Sequence, residues 1–396
     1  MQVIIDRDAF SAALTAVKRT VERRNSLPVL ANVLLTAGDG RLSIKASNQD
    51  MESSADLPCD ARQGGAVTLP AHVLADMVKA APKGGQIALE SIEGVPGKRW
   101  KERTTAGDDV YDEFVTPRVK IRAGASAATL SGIQAEDFPE IEAAPKWSRR
   151  FLVNAQQFKR LLDATSFAIS TEETRYYLNG IFLHVDKDGS SYKLRSVATD
   201  GHRLAQADMP APEGAEGMPG VIVPRLCVVE LAKLIGKSKG DLYIAANEKH
   251  IEFQLDGFTL LSKTIDGTFP DYRRVVPYSA DKRLVCDKAS LVAAIKRVTT
   301  LSSERGRAVK LGLKAGRVVL SVNNPDAGEI RDEVDADFSA ELESFEIGFS
   351  ARYLLDIAGA YADSEMQFYF SDAGGPALIA PYRSAPEIFV LMPVRV

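Results

Sequence analysis

The sequence is short of cysteine and histidine and has no long apolar run, and each shortage removes a class of function. No stretch approaches the roughly 20 apolar residues that a helix needs to cross a bilayer. The opening residues, MQVIIDRDAF, carry aspartates where a secretion signal needs a basic segment and then an apolar one. A cytoplasmic location is therefore expected. Cys59, Cys227 and Cys286 are odd in number, far apart and in no metal-ligand spacing. Buried thiols in a reducing compartment fit them better than disulfides or a nucleophile. The 4 histidines lie far from one another and from cysteine, so no zinc site is expected. Nucleophile-elbow, P-loop and two-metal carboxylate patterns are missing too, which argues against an enzyme and against a cofactor. Net positive charge is also missing. With 49 Lys and Arg against 53 Asp and Glu the balance is −4, whereas nucleic-acid binders are usually basic overall.

What is present is a repeated plan. At 396 residues the chain is long enough for two or three cores. Three segments each read as a short strand, a polar residue and an amphipathic helix: QVIIDRDAFSAALTAVKRTV (2–21), RFLVNAQQFKRLLDATSFAI (150–169) and RLVCDKASLVAAIKRVTTLS (283–302). Asp6, Asn154 and Asp287 stand where an N-cap belongs. A second helix recurs in TLPAHVLADMVKAA (68–81), IVPRLCVVELAKLI (222–235) and GFSARYLLDIAGAY (348–361). Pro70 and Pro224 suit its first turn. Alternating strand patterns lie between, ended by Asp39-Gly40, Asp188-Gly189 and Ala315-Gly316. The expected class is α+β in three similar domains, 1–147, 148–279 and 280–396. The first is the longest, and its excess falls in GVPGKRWKERTTAGDDVYDEF (94–114), an extended loop or hairpin rich in glycine and charge.

Positive charge collects on the helices. The helices with their flanking turns, residues 8–25, 71–83, 155–170, 224–240, 288–307 and 351–363, carry 18 basic and 8 acidic residues, a net of +10, so the rest of the chain must carry −14. Should those helices share one surface, it would attract phosphates while an acidic remainder repels nonspecific contact. Stacking aromatics are not interleaved with the basic residues, and no base-reading motif is present. The expected contact is with duplex backbone, blind to sequence.

Five blocks in order then carry a resemblance along nearly the whole chain: SLPVLANVLL (26–35), ETRYYLNGIFL (173–183), ATDGHRLA (198–205), TIDGTFPDYRRVVP (264–277) and VLMPVRV (390–396). Together they resemble the bacterial beta sliding clamps, the beta subunits of DNA polymerase III. That likeness implies a head-to-tail homodimer closed into a ring, helices lining a central hole and antiparallel sheets outside. It implies no catalysis. Its implied role is processivity, by encircling double-stranded DNA and tethering the polymerase III alpha subunit, the clamp loader, other polymerases and repair proteins through linear motifs. The pocket for those motifs would use Leu178, Thr199, Gly201, His202, Arg203, Leu204, Pro270, Arg274, Val275, Ser350, Tyr353, Val390, Met392, Pro393, Val394 and Arg395. Apolar residues would make the cleft, and Arg203 and Arg274 its oriented polar groups. Ser350 replaces an amide side chain common in the family. Subunit joining is implied at Ala128 and Leu130 in the first domain and at Thr300 and Leu301 in the third, where Ala128 and Thr300 are smaller than the family's usual residues. For DNA the likeness points to Arg24. Helix phase adds Lys18, Arg19 and Lys159, and Tyr176 is a further candidate.

Three rival readings remain. A hydrolase could be built around Asp200 and His202, or around Asp266 and Asp271. A sequence-specific regulator would need an element that reads base edges. A sequence-independent DNA-binding protein that forms no ring is the third.

Overall fold

Asp6, Asn154 and Asp287 do start the corresponding helices. The Asp6 carboxylate accepts the Ala9 N–H at 2.8 Å, the Asn154 carbonyl those of Gln156 and Gln157 at 3.1 Å each, and Asp287 that of Ser290 at 2.7 Å. Each relieves a donor that the first helical turn leaves without an acceptor. The computed structural model describes residues 1–22, 27–103, 109–141, 146–189, 191–236, 238–301 and 308–395.

The first repeat runs β1 (Gln2–Asp6), α1 (Arg7–Val17), β2 (Asn32–Gly38), β3 (Arg41–Ser47), β4 (Met51–Pro58), β5 (Asp60–Gln63), β6 (Gly65–Pro70), α2 (Ala71–Ala80), β7 (Gln86–Arg103), β8 (Asp109–Ala123) and β9 (Ser126–Ser131). The second runs β10 (Arg149–Asn154), α3 (Ala155–Thr165), β11 (Gly180–Asp188), β12 (Ser191–Thr199), β13 (Arg203–Pro210), β14 (Val221–Pro224), α4 (Arg225–Ile235), β15 (Asp241–Ala246), β16 (His250–Leu255) and β17 (Phe258–Lys263). The third runs β18 (Lys282–Asp287), α5 (Lys288–Val298), β19 (Ala308–Lys314), β20 (Arg317–Asn324), β21 (Gly328–Phe338), β22 (Glu346–Ser350), α6 (Ala351–Ala360), β23 (Glu365–Phe370), β24 (Ala377–Ile379) and β25 (Glu387–Leu391). Apart from the extra β5, the three share one order of elements.

The prolines differ from expectation by one position. Pro70 and Pro224 end strands, and the helices begin at Ala71 and Arg225. Pro70 still pairs with Asn32 as the last rung of the β2–β6 ladder. A residue without an N–H can close a ladder there at no loss. Of the two alternatives expected for segment 94–114, its described residues 94–103 and 109–114 form the hairpin. Gly97 lies opposite Phe114 and Val95 opposite Thr116 in the β7–β8 hairpin, past a register shift after Ile92. Of the expected turns, Asp39-Gly40 and Ala315-Gly316 have both residues at positive φ, as Asp256-Gly257 does, the geometry that two-residue hairpins favour; Asp188 instead pairs with Ser191 as the end rung of the β11–β12 ladder.

Two pairings join consecutive repeats strand to strand. β17 runs antiparallel to β4, with Phe258 opposite Ala55 and Ser262 opposite Met51. β25 runs antiparallel to β13, with Glu387 opposite Ala207 and Leu391 opposite Arg203. In both, the last strand of one repeat docks on the third strand after the first helix of the repeat before it. The strands left over in this scheme are β9 and β21. β9 ends the sheet β5-β1-β7-β8-β9 with one side open. Among the described residues, Gly328–Asp335 of β21 pair only with β20.

The sheet junctions also explain how the chain divides into compact units. One unit is Met1–Leu152 with Lys233–Lys263, and the other is Val153–Ala232 with Thr264–Val396. The second repeat is thus shared out, because β17 belongs to a sheet with the first and β13 to a sheet with the third. In the first unit Phe10, Leu14, Leu74 and Val78 pack on Leu35, Leu42, Ile44 and Leu89. Each such side chain contributes about 1.5–3 kcal/mol by leaving water. In the second, Leu178, Leu204, Phe269, Tyr272 and Val390 share one core. No helix among the described residues is long and apolar enough to cross a membrane.

Candidate binding pocket

The turn between β12 and β13 is built by its own side chains. Asp200 Oδ1 accepts the N–H groups of His202 at 3.0 Å and Arg203 at 3.1 Å. Thr199 Oγ1 donates to the Arg203 carbonyl at 2.7 Å and accepts the Gly201 N–H at 3.1 Å. Gly201 sits at φ +87°, and a Cβ there would stand 2.6 Å from Arg175 Nη1. Glycine is required by the first fact more than by the second, since an arginine tip can move. The Asp200 carboxylate is thereby committed to the turn, and the His202 ring stacks on Tyr353 with centroids 6.2 Å apart.

Beside this turn lies a cavity of about 290 Å³ within the second unit. Leu178, Thr199, Gly201, Arg203, Leu204, Pro270, Val275, Val390 and Met392 line it, nine of the positions drawn from the resemblance. Leu178, Leu204 and Val390 are core residues that form its floor, while Val275 and Met392 are exposed at its rim. The cavity therefore has an apolar base anchored in packed core and a softer apolar edge. Such a site suits one or two bulky apolar side chains of a peptide.

Four further residues line it that the sequence reading missed: Arg175, Tyr177, Asp271 and Tyr272. Arg175, Tyr177 and Tyr272 lie in the 3-10 turns Glu173–Leu178 and Tyr272–Arg274, and Asp271 caps the second turn. All four belong to the blocks quoted above, so their neighbourhood was visible although their orientation was not. Tyr272 is held from behind. Its hydroxyl lies 3.1 Å from His184 Nε2 and accepts from Arg195 Nη1 at 3.2 Å. Arg195 in turn grips Asp208 through two nitrogens, at 2.7 and 2.8 Å, and Asp186 at 2.6 Å. Burial, then the charge of Arg195, pushes His184 down to about 4. Burial opposes the charge on Arg195, but hydrogen bonds to Asp208 and Tyr272 outweigh it and raise its pKa. The imidazole is thus neutral at physiological pH beside a permanent cation.

Arg203 corrects an expectation. Its side chain is only 5% exposed, and three of its nitrogens are already engaged. Nε donates to Asp200 Oδ2 at 3.1 Å, Nη1 to Asp356 Oδ2 at 2.6 Å and Nη2 to the Phe167 carbonyl at 2.6 Å. The guanidinium also faces the rings of Tyr353 at 4.4 Å and Phe167 at 5.0 Å. It is a strut of the wall, since desolvated donors with good acceptors have little to offer a ligand. Arg274 lies outside the cavity lining. Its side chain is 84% exposed and pairs with Asp271 at 3.1 Å. Ser350 precedes α6 without a capping hydrogen bond from its side chain. After β25 the chain is tied down by two backbone bonds, Met392 N–H to the His202 carbonyl and Val394 N–H to the Gly348 carbonyl, each 2.9 Å. Among these tail residues only Met392 reaches the cavity, and Pro393, Val394 and Arg395 continue past it.

Of the basic candidates, Arg24 lies outside the described residues. Lys18 stands 3.7 Å from Asp76, and Lys159 is 2.5 Å from Asp163 one turn along α3. Arg19 is exposed just beyond α1. Tyr176 is exposed and meets Tyr177 edge to face, centroids 5.8 Å apart. Ala128 and Leu130 lie on the open strand β9, opposite Ile121 and Val119 of β8. Thr300 and Leu301 form the 3-10 turn after α5, where the Thr300 hydroxyl donates to the Arg297 carbonyl at 2.8 Å and the Asn324 amide to the Leu301 carbonyl at 2.9 Å.

Comparison with known proteins covers the whole chain. Models of the N-terminal, central and C-terminal domains of the DNA polymerase III beta subunit match residues 1–97, 152–271 and 273–395. The beta sliding clamp of Caulobacter vibrioides is 41% identical over 402 aligned positions, and that of Escherichia coli 31% over 399, each covering 100% of both chains. A crystal structure of the sliding clamp from Bartonella birtlesii bound to griselimycin superposes with a TM-score of 0.89 at 43% identity, again over 100% of both chains.

Proposed function

Because the chain belongs to the DNA polymerase III beta subunit family, the sliding clamps of replication, we propose that two copies close into a ring around duplex DNA. The fold is the three-domain clamp fold, and the proposed domains are 1–147, 148–279 and 280–396. One observation carries the ring. The last strand of a repeat docks on the preceding repeat at β17–β4 and again at β25–β13, and the two strands left over are β9 and β21. A second copy satisfies both, with β9 of each chain on β21 of the other. A contact between unlike surfaces that repeats and closes leaves no sheet edge exposed.

The work of such a ring is retention rather than chemistry. Lys18, Arg19, Arg24, Lys159 and Tyr176 are proposed to touch the duplex, weakly and without reading its sequence. The cavity beside Gly201 is proposed to take the linear motifs of the polymerase III alpha subunit, the clamp loader, other polymerases and repair proteins. Leu178, Leu204 and Val390 would seat the motif's apolar side chain, with Val275 and Met392 closing over it. The protein would act in the cytoplasm, without cofactor.

The test is loading onto nicked circular plasmid followed by linearisation. A ring stays on the circle and is lost from free ends. Equal retention on both forms would instead favour a DNA-binding protein that does not encircle its track.

A further inference from the structure

The segments that follow β9 and β17 connect one repeat to the next, and they are tied down differently. Both pass through matching residues, Phe138-Pro139-Glu140-Ile141 in the first connector and Phe269-Pro270-Asp271-Tyr272 in the second. The strands beneath them match as well, since Gly38–Arg41 and Asp188–Ser191 are the end rungs of equivalent hairpins. Four residues along from each rung, Leu34 faces Lys45 in the first repeat and His184 faces Arg195 in the second. The third repeat has Ser321 at the place of Arg195, opposite Lys310. In the first repeat the connector is held through its acid. Lys45 pairs with Glu140 at 2.8 Å, and the Glu52 carboxylate accepts the Ile141 N–H. In the second the cation goes to the ring instead. Arg195 donates to the Tyr272 hydroxyl, and Asp271, the counterpart of Glu140, is left to line the cavity.

Arg195 has no spare nitrogen. Its side chain is 11% exposed. Nε and Nη2 hold Asp208 of β13, while Nη1 holds Asp186 of β11 and the Tyr272 hydroxyl. Arg273 closes the other side, 2.9 Å from Asp186 and 5.2 Å from the centre of the Tyr272 ring. A row of rings continues the wall. His184 stacks on Phe182 with centroids 4.5 Å apart, Phe182 on Phe269 at 5.0 Å, and Phe269 meets Tyr272 edge to face at 6.5 Å. One fork anchored on two strands thus fixes a phenol, and the phenol fixes the turn that carries Asp271 and Val275. β13 also supplies Leu204 of the cavity floor, so Arg195 ties wall to floor. A wall held in this way loses little freedom when the cavity fills. It also resists side chains that overfill the space.

We propose that Arg195 is a positioning residue for motif binding: acting through the Tyr272 hydroxyl, it sets the width of the cavity and hence which apolar side chains fit. This rests on reading the cavity as the motif site. It adds to that site a group outside the cavity lining.

The experiment uses the full-length protein and a labelled linear-motif peptide of the polymerase III alpha subunit. The peptide's anchoring apolar residue is either native or enlarged to tryptophan. Tyr272→Phe removes one oxygen and keeps the ring. Fluorescence anisotropy should show about fivefold weaker binding of the native peptide, the worth of one hydrogen bond, while the tryptophan version binds as before. Arg195→Met should narrow the preference likewise, and adding Tyr272→Phe to it should cost nothing further. If Arg195→Met does not fold, Tyr272→Phe decides alone. A tether that only supports the fold would lower the urea midpoint of the variants and leave the peptide preference intact. That result, or additive losses in the double variant, overturns the proposal. Removal of the residues after Leu391 is the control. Peptide binding that survives this cut overturns the pocket reading and the positioning role together. Binding that needs the tail but ignores Tyr272→Phe overturns the positioning role alone.

Discussion

Arg203 and Asp356 meet at 2.6 Å although they lie in different repeats of the sequence. The contact ties the β12–β13 turn to α6. The guanidinium lies between Tyr353 and Phe167, so the turn, the helix and the segment after α3 are fixed by one side chain. Arg203→Met keeps much of the volume but leaves Asp200 and Asp356 without their cation. Breaking a buried pair from one side costs roughly 3–5 kcal/mol, and the partial exposure of Asp356 lowers this to about 2–3 kcal/mol. Urea unfolding should show that loss, and Arg203→Lys should not restore it, because a point charge cannot hold three acceptors in a fork. Full stability in Arg203→Met would show that the strut is dispensable.

His184 makes stability depend on acid. Its folded value is about 4 against an ordinary 6.5, so between those pH values the unfolded chain binds a proton that the folded one refuses. Stability from this group is complete above pH 6.5 and is lost as pH falls through that window. The difference of about 2.5 units corresponds to about 3 kcal/mol at most. His184→Gln should therefore be destabilised against the native protein at pH 7.5, and the gap should narrow by pH 4.5. Denaturant midpoints at the two pH values decide it; a gap that is constant or widens in acid would mean that His184 titrates normally.

These two side chains also mark how far the sequence could be read. Periodicity placed all six helices, and the three polar caps placed the starts of α1, α3 and α5, because local hydrogen bonds set those features. Turn residues placed the hairpins for the same reason. Arg203 looked like a ligand-binding group because its acceptors, Asp356 and the Phe167 carbonyl, come from α6 and from the segment after α3. No spacing rule reports such a partner. Tyr272 was passed over likewise, since its aim is set by His184 and Arg195, 88 and 77 residues away. In the 94–114 segment none of the residues whose burial is described is buried, which is why no apolar alternation announced its hairpin.

Cutting the chain after Leu391 should abolish binding of partner peptides and spare the fold. Leu391 and Val390 are buried and stay in the β13 ladder. Among the described residues, the segment removed carries Met392, exposed at the rim, and two backbone bonds, to His202 and Gly348. Circular dichroism should be unchanged, while fluorescence anisotropy of a labelled linear-motif peptide should show at least tenfold weaker binding. Unchanged affinity would move the binding site away from this cavity.

Salt separates enclosure from adhesion. A protein held by phosphate contacts loses affinity as a power of salt concentration, and each contact contributes about 0.9 to the slope. The proposed contacts should be weak: Lys18 and Lys159 already face Asp76 and Asp163, so each must leave an acid to meet a phosphate. Arg19 is exposed beyond α1 and should matter most. Arg19→Ala should flatten the salt slope of unloaded protein on short duplexes by about one unit. Once loaded on a nicked circle, the same variant should persist as long as the native ring at any salt that leaves the dimer intact. In the proposed ring the escape route is the opening of the β9–β21 junction, in which Arg19 has no part. Salt-dependent loss of the variant from closed circles, at a concentration where sedimentation still finds dimer, would mean that charge rather than closure keeps this protein on DNA.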